Sequence, residues 1–82
     1  MKREEIIEKL KTIVKPYVNN QEAYENMNES SDFIKDLGVN SANLVDIVLD
    51  VEEQFNIVID NPEMERMLDV KTAIDIIEVK TE

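Results

Sequence analysis

Asp36-Leu37-Gly38-Val39-Asn40-Ser41-Ala42-Asn43-Leu44-Val45-Asp46-Ile47-Val48-Leu49-Asp50-Val51-Glu52-Glu53-Gln54-Phe55 is a turn running into the most strongly patterned helix of the chain. Leu44, Ile47, Val48, Val51 and Phe55 recur at spacings of three and four, which stacks them on one face and predicts an amphipathic helix over residues 41–55. Val and Ile lose rotamer freedom in a helix, so packing of that face, more than intrinsic propensity, has to hold it. Ser41, Val45 and Leu49 form a second stripe at steps of four, rimmed by Asp46, Asp50, Glu52 and Glu53. Two readings fit such a stripe. One is a small protein-binding face, apolar inside a steering ring of charge; the other is a helix around which the bundle simply wraps further. Ser41 also has two readings. It can cap the helix, or it can offer a hydroxyl where free N–H groups and the positive dipole end suit an attached phosphate. Gly38, the only glycine, stands where a left-handed residue would close the preceding turn.

Working outward, Ile6, Ile7, Leu10, Ile13 and Val14 predict a first amphipathic helix over residues 3–15, stopped by Pro16. Residues 16–40 form a long connection, which in so small a chain needs anchors. A short turn at Ala23, Tyr24 and Met27 supplies one. A single helical turn over residues 31–38 supplies the other, with Ser30 or Ser31 as cap and Phe33, Ile34 and Leu37 plugged inward. After Phe55, residues 56–60 have strand-like propensity but no partner strand, so an extended link burying Ile57 or Ile59 is expected. Asn61-Pro62-Glu63 reads as a helix start capped by Asn or Asp, with Met64, Met67 and Leu68 available for burial. Asp69 caps a last helix whose inward face is Val70, Ala73, Ile74 and Ile77, fraying from about Val79. The fold class expected is all-α: a four-helix bundle of three longer helices and one short one, with a long first loop.

Composition narrows the chemistry. A length of 82 residues fits one domain, residues 1–82, with one modest core. The absence of Cys and His removes a disulfide frame, a thiol nucleophile, a thiolate zinc site and the usual neutral-pH base. One Gly excludes a glycine-rich phosphate loop. The run from Asp36 fails as a calcium loop, because its Gly is misplaced and its twelfth residue is Ile47. Glu52 and Glu53 are helix neighbours that point apart, so they make no acid–base pair. A net charge of −10 opposes binding to nucleic acid and to anionic membranes, and favours basic partners. The charge is uneven: residues 1–20 sum to +2, residues 21–82 to −12, and no base falls between Lys35 and Arg66. The start Met1-Lys2-Arg3-Glu4-Glu5 leads into no apolar leader, and no apolar run nears the ~20 residues a membrane span needs. A cytoplasmic chain, without membrane insertion, is expected.

The stretch Asp36-Leu37-Gly38-Val39-Asn40-Ser41-Ala42 and the helix after it resemble the acyl carrier protein family, whose signature is Asp-Ser-Leu following a Leu-Gly turn. The resemblance continues in register through Ile57-Val58-Ile59 and Asp69-Val70-Lys71-Thr72-Ala73-Ile74-Asp75-Ile76-Ile77, and so covers nearly the whole chain. It implies that Ser41 carries covalent 4′-phosphopantetheine, delivered from coenzyme A by a phosphopantetheinyl transferase, and that the arm's thiol holds acyl groups as thioesters. The chain would catalyse nothing itself. It implies that Val45, Asp46, Leu49, Glu52 and Glu53 dock acyl-loading and ketosynthase-type enzymes with basic surfaces. It also implies that Val48, Val51, Ile59, Met64 and Met67 line the space for the acyl chain, where flexible Met suits variable cargo. The second stripe of the helix then favours docking. A monomer serving fatty acid or polyketide-type synthesis is expected; the alternative is an acidic helical adaptor without a cofactor. The departures are local. Asn40 stands for the signature Asp, Ala42 for its Leu and Asn43 for a usual acid, which points to a specialised carrier with dedicated partners.

Overall fold

The computed structural model describes residues 2–81 and is all-helical among them. Three helices are long: α1 (Arg3–Val14), α3 (Leu44–Phe55) and α5 (Val70–Thr81). Two are short: α2 (Gln21–Glu25) and α4 (Asn61–Arg66). α1 packs against both α5 and α3. The core between them takes Ile6, Leu10, Ile13 and Val14 from α1, Ile47, Val48, Val51 and Phe55 from α3, and Val70, Ala73, Ile74, Ile76 and Ile77 from α5.

The long connection is anchored more heavily than its polar composition announces. Phe33 and Leu37 are fully buried and Val39 is nearly so, which makes this loop a third wall of the core. Its backbone is stitched to the turn before α5: Phe33 N–H donates to the Leu68 carbonyl (3.0 Å), and Val70 N–H to the Ser31 carbonyl (2.9 Å). On its other side, the N–H groups of Asn19 and Asn20 both donate to the Leu37 carbonyl (3.1 and 3.2 Å). Gly38 sits at φ +71°, and a Cβ there would lie 3.3 Å from that of Asn19, so both conformation and space call for glycine.

Several local expectations need correction. Pro16 stops α1 one residue earlier than the spacing implies: the helix closes at Val14, and Pro16, which cannot donate to continue it, sits in a 3-10 turn, Lys15–Tyr17. The turn at Ala23 is a true five-residue helix capped by Asn20, whose side chain accepts from Ala23 N–H. The 31–38 turn is capped by neither Ser30 nor Ser31. Asp32 does this with one carboxylate oxygen, accepting from Ile34 N–H (2.9 Å) and Lys35 N–H (2.8 Å). Ile34 is exposed, because Phe33 and Leu37 share the inner face of that turn and Ile34 falls outside it. Leu68 is exposed as well: it lies in the tight turn that leaves α4, where its N–H donates to the Arg66 carbonyl (2.8 Å) and its side chain is left outside the core that takes Met67. Nor does the last helix fray at Val79. It runs to Thr81, with the Thr81 hydroxyl donating to the Ile77 carbonyl (2.8 Å) and Lys80 paired with Glu63 (2.9 Å). Glu82 lies outside the described residues.

The link between α3 and α4 is extended as expected. Ile59 is buried, Ile57 half-buried and Val58 exposed. Asp60 caps α4 through a capping box with Glu63.

Candidate functional site

The start of α3 is built from short-range bonds. Asn40 is extended (φ −68°, ψ 134°) and caps the turn after it: its side-chain oxygen accepts from Ala42 N–H (2.9 Å), and its carbonyl from Asn43 N–H (2.8 Å). Ser41–Asn43 thus forms one 3-10 turn, and α3 proper begins at Leu44, three residues later than the periodicity implies. The cap is Asn40, which leaves the Ser41 side chain free. Ser41 and Ala42 are exposed, and among the described residues the Ser41 hydroxyl has no hydrogen-bond partner. Just upstream, Val39 is buried and its N–H bonds the Phe33 carbonyl at 2.9 Å, so the exposed turn stands on a fixed base.

From that turn the second stripe runs along α3 in the open, with Val45 48% and Leu49 56% exposed. The acids around it divide into two kinds. Asp46 and Glu53 are exposed, and among the described residues neither has an ionic partner. Asp50 and Glu52 are half-buried and engaged. Asp50 accepts from the Tyr17 hydroxyl (3.4 Å), and burial together with the charges of Asp50 and Asp46 pushes the Tyr17 phenol up from its ordinary pKa. Glu52 accepts from Ile59 N–H at 2.8 Å.

The ion pairs found lie elsewhere: Arg3 meets Glu29, Asp75 and Glu78, Lys71 meets Asp75, and Lys80 meets Glu63. The acidic field over α3 is therefore not neutralised by any of these bases.

Val48, Val51, Ile59 and Met67 are buried, and Met64 packs half-buried against them. All five belong to, or pack against, the single hydrophobic core. Three surface cavities, of about 400, 370 and 300 Å³, lie away from these five residues.

Sequence reasoning missed the tie from Glu52 to Ile59. Its acceptor and donor are seven residues apart and one of them is a backbone N–H, so no residue pattern marks it.

The molecule is thus a small helical bundle with an exposed, unbonded serine hydroxyl ahead of an acidic, partly apolar helix. Comparison with known proteins places it in a family. The family model described as "Phosphopantetheine attachment site" matches residues 8–79. The acyl carrier protein of Coprothermobacter proteolyticus is 37% identical over 78 residues, covering 95% of this chain and 93% of that protein. The acyl carrier protein of Thermotoga maritima is 35% identical over 78 residues, with 95% and 94% covered. That of Cyanidium caldarium is 35% identical over 75 residues, with 92% and 85% covered. The chain belongs to the acyl carrier protein family. It is a non-catalytic acyl carrier whose cofactor is covalent 4′-phosphopantetheine, and its partners are a phosphopantetheinyl transferase and biosynthetic enzymes. The cofactor-free adaptor is set aside by the same finding. No helix among the described residues is long and apolar enough to cross a membrane.

The residues present suit the cofactor. A phosphodiester needs a hydroxyl that is exposed and not committed to capping, and Ser41 meets both conditions. The carrier's missing thiol is what the arm supplies when bound, as the point where acyl groups attach.

Proposed function

We propose that Ser41 is the attachment residue: its oxygen forms a phosphodiester with the arm of coenzyme A as 3′,5′-ADP leaves, in a reaction run by the transferase. The chain then carries acyl groups to fatty acid or polyketide-type enzymes. Val45, Asp46, Leu49, Glu52 and Glu53 receive acyl-loading and ketosynthase-type enzymes through basic patches on those partners. Val48, Val51, Ile59, Met64 and Met67 part to admit the acyl chain. The protein works as a single-domain cytoplasmic monomer. The region around Ser41 is uncharged, since Asn40, Ala42 and Asn43 bring no acid, and the first charge of α3 is Asp46. That favours dedicated partners whose basic groups lie further along the helix.

The observation that carries this reading is the exposed, unbonded Ser41 hydroxyl beside a cap that another residue provides. Incubation with coenzyme A and a broad-specificity transferase, then mass spectrometry, tests it. One phosphopantetheine is expected on the wild type and none on Ser41→Ala, which should fold normally because the side chain bonds nothing. No gain on the wild type, or equal gain on the variant, rejects it.

A further inference from the structure

Glu52 sits in the last turn of α3 and holds the chain that leaves it. Its carbonyl accepts from the N–H groups of Asn56 and Ile57, the second at 3.1 Å, while its carboxylate reaches past Asn56 (φ 56°) to Ile59 N–H at 2.8 Å. Ile59 is 8% exposed and the preceding Val58 is 76% exposed, so the link alternates and only every second residue faces the core. On its far side the link is tied by Asp60 N–H to Glu63 (3.1 Å). Between those ties, the Glu52 carboxylate is the hydrogen-bond partner that keeps Ile59 turned inward.

We infer that Glu52 is a positioning residue for the cargo: through the Ile59 N–H, its carboxylate holds Ile59 as the closing wall of the space that the acyl chain enters between α3 and α4. This rests on the proposed reading of Val48, Val51, Ile59, Met64 and Met67 as cargo lining. The physical reason is local. A half-buried N–H without an acceptor must find water, and turning Ile59 N–H toward solvent draws its side chain out of the core. A carboxylate makes a stronger acceptor than a neutral group, so the wall is firmer than apolar packing of a short link would give. Glu52 is also unlike Asp46 and Glu53, which are exposed and leave their carboxylates to solvent. It therefore contributes inward as well as outward, and its loss should be felt by the cargo.

The test uses the full chain carrying an octanoyl thioester on its arm, with two readouts: amide hydrogen exchange residue by residue, and the rate of thioester cleavage by hydroxylamine. Glu52→Ala should speed exchange at Ile59 N–H about tenfold relative to the amides of Ile47 and Val48, and thioester cleavage about threefold. Glu52→Gln keeps an oxygen acceptor at the same reach and should recover most of both effects. If Glu52→Ala speeds all α3 amides together, or leaves Ile59 unchanged, Glu52 is not a local latch and the inference is overturned. Slow wild-type cleavage that stays equally slow in Glu52→Ala overturns the inference alone. If the wild-type thioester is cleaved as fast as free octanoyl-pantetheine, the cargo is not sheltered at all. The reading of the lining then fails, and the inference falls with it.

Discussion

The two ends of α3 are made differently. Its start is held by one neutral residue, Asn40, through two bonds to its near neighbours, and it keeps Ser41, Ala42 and Val45 in the open. Its end is buried and tied over a distance. Phe55 is in the core, Asn56 takes the left-handed conformation, and Glu52 reaches seven residues on to Ile59. One end is open to solvent, the other holds the bundle shut. A carrier with its arm on Ser41, as proposed, needs both on one helix: a serine that an enzyme can approach, and an interior that does not open when it does.

The widest expected gap between the ends is in stability. Phe55→Ala removes a core ring that also lies 5.4 Å beneath the Lys9 ammonium, and should cost about 3–5 kcal/mol. Val45→Ala on the open stripe should stay within about 0.5 kcal/mol of wild type. Urea unfolding monitored by circular dichroism gives both values. Comparable losses would mean that the stripe is core after all, with the bundle wrapping further around α3.

Docking should show the reverse order. Asp46→Lys together with Glu53→Lys should slow loading by a basic partner enzyme about tenfold at low salt, with little change in unfolding midpoint, since neither carboxylate has an ionic partner among the described residues. Raising the salt should slow the wild type toward the variant. A double variant that loads at the wild-type rate would remove the docking role from the exposed acids.

This division also explains what the sequence could disclose. The helices, the core stripe of α3 and the role of Gly38 follow from periodicity and local sterics, which neighbouring residues carry between them; periodicity leaves Val45 and Leu49 open between two readings, and it is the fold that exposes them. The Asp69 cap, with Thr72 N–H donating at 2.7 Å, is local in the same way. The hidden features depend on groups brought together by folding. Periodicity alone turns Leu68 and Ile34 inward, but the stitching of the 31–33 segment to the 68–70 segment sets which sides of those turns face solvent. The persistence of α5 past Val79 depends on Lys80 meeting Glu63 from α4. The capping of 31–38 by Asp32 in place of a serine is legible in principle, because Asp ranks with Ser as a cap and sits one residue on.

A smaller effect probes the start of α3 directly. Asn40→Ala removes the side-chain acceptor for Ala42 N–H and should cost about 1 kcal/mol. Asn40→Asp keeps the acceptor, adds charge at the positive end of the helix, and should equal or exceed wild type. The same pair measured in the transferase assay separates the cap from recognition. A slower Asn40→Ala with a normal Asn40→Asp would mean that the fixed turn is what the enzyme needs. A changed rate for Asn40→Asp alone would mean that charge beside Ser41 is read.

The smallest effect separates the two ends by acid. The start of α3 is capped by a group that does not titrate. The link leaving α3 is closed at Glu63, which accepts from Asp60 N–H and pairs with Lys80. Lys80 first, then the Asp60 backbone, hold the Glu63 carboxyl below its usual pKa. A carboxyl depressed in the folded state binds fewer protons there than in the unfolded chain. Its contribution is therefore complete above the unfolded value, about 4.3 for Glu, and is lost as pH falls through the lower folded value. Glu63→Gln keeps an oxygen for Asp60 N–H but cannot pair with Lys80. It should unfold at slightly lower urea than wild type at pH 7, and the gap should shrink as the solution is taken below the ordinary carboxylate range. Asp75 is depressed as well, by Arg3 and then Lys71, and being present in both proteins it should drop out of the difference. The absence of a gap at pH 7 would show that Glu63 acts only as a cap, a role Gln also fills, leaving the closure of the link to Glu52 and the core.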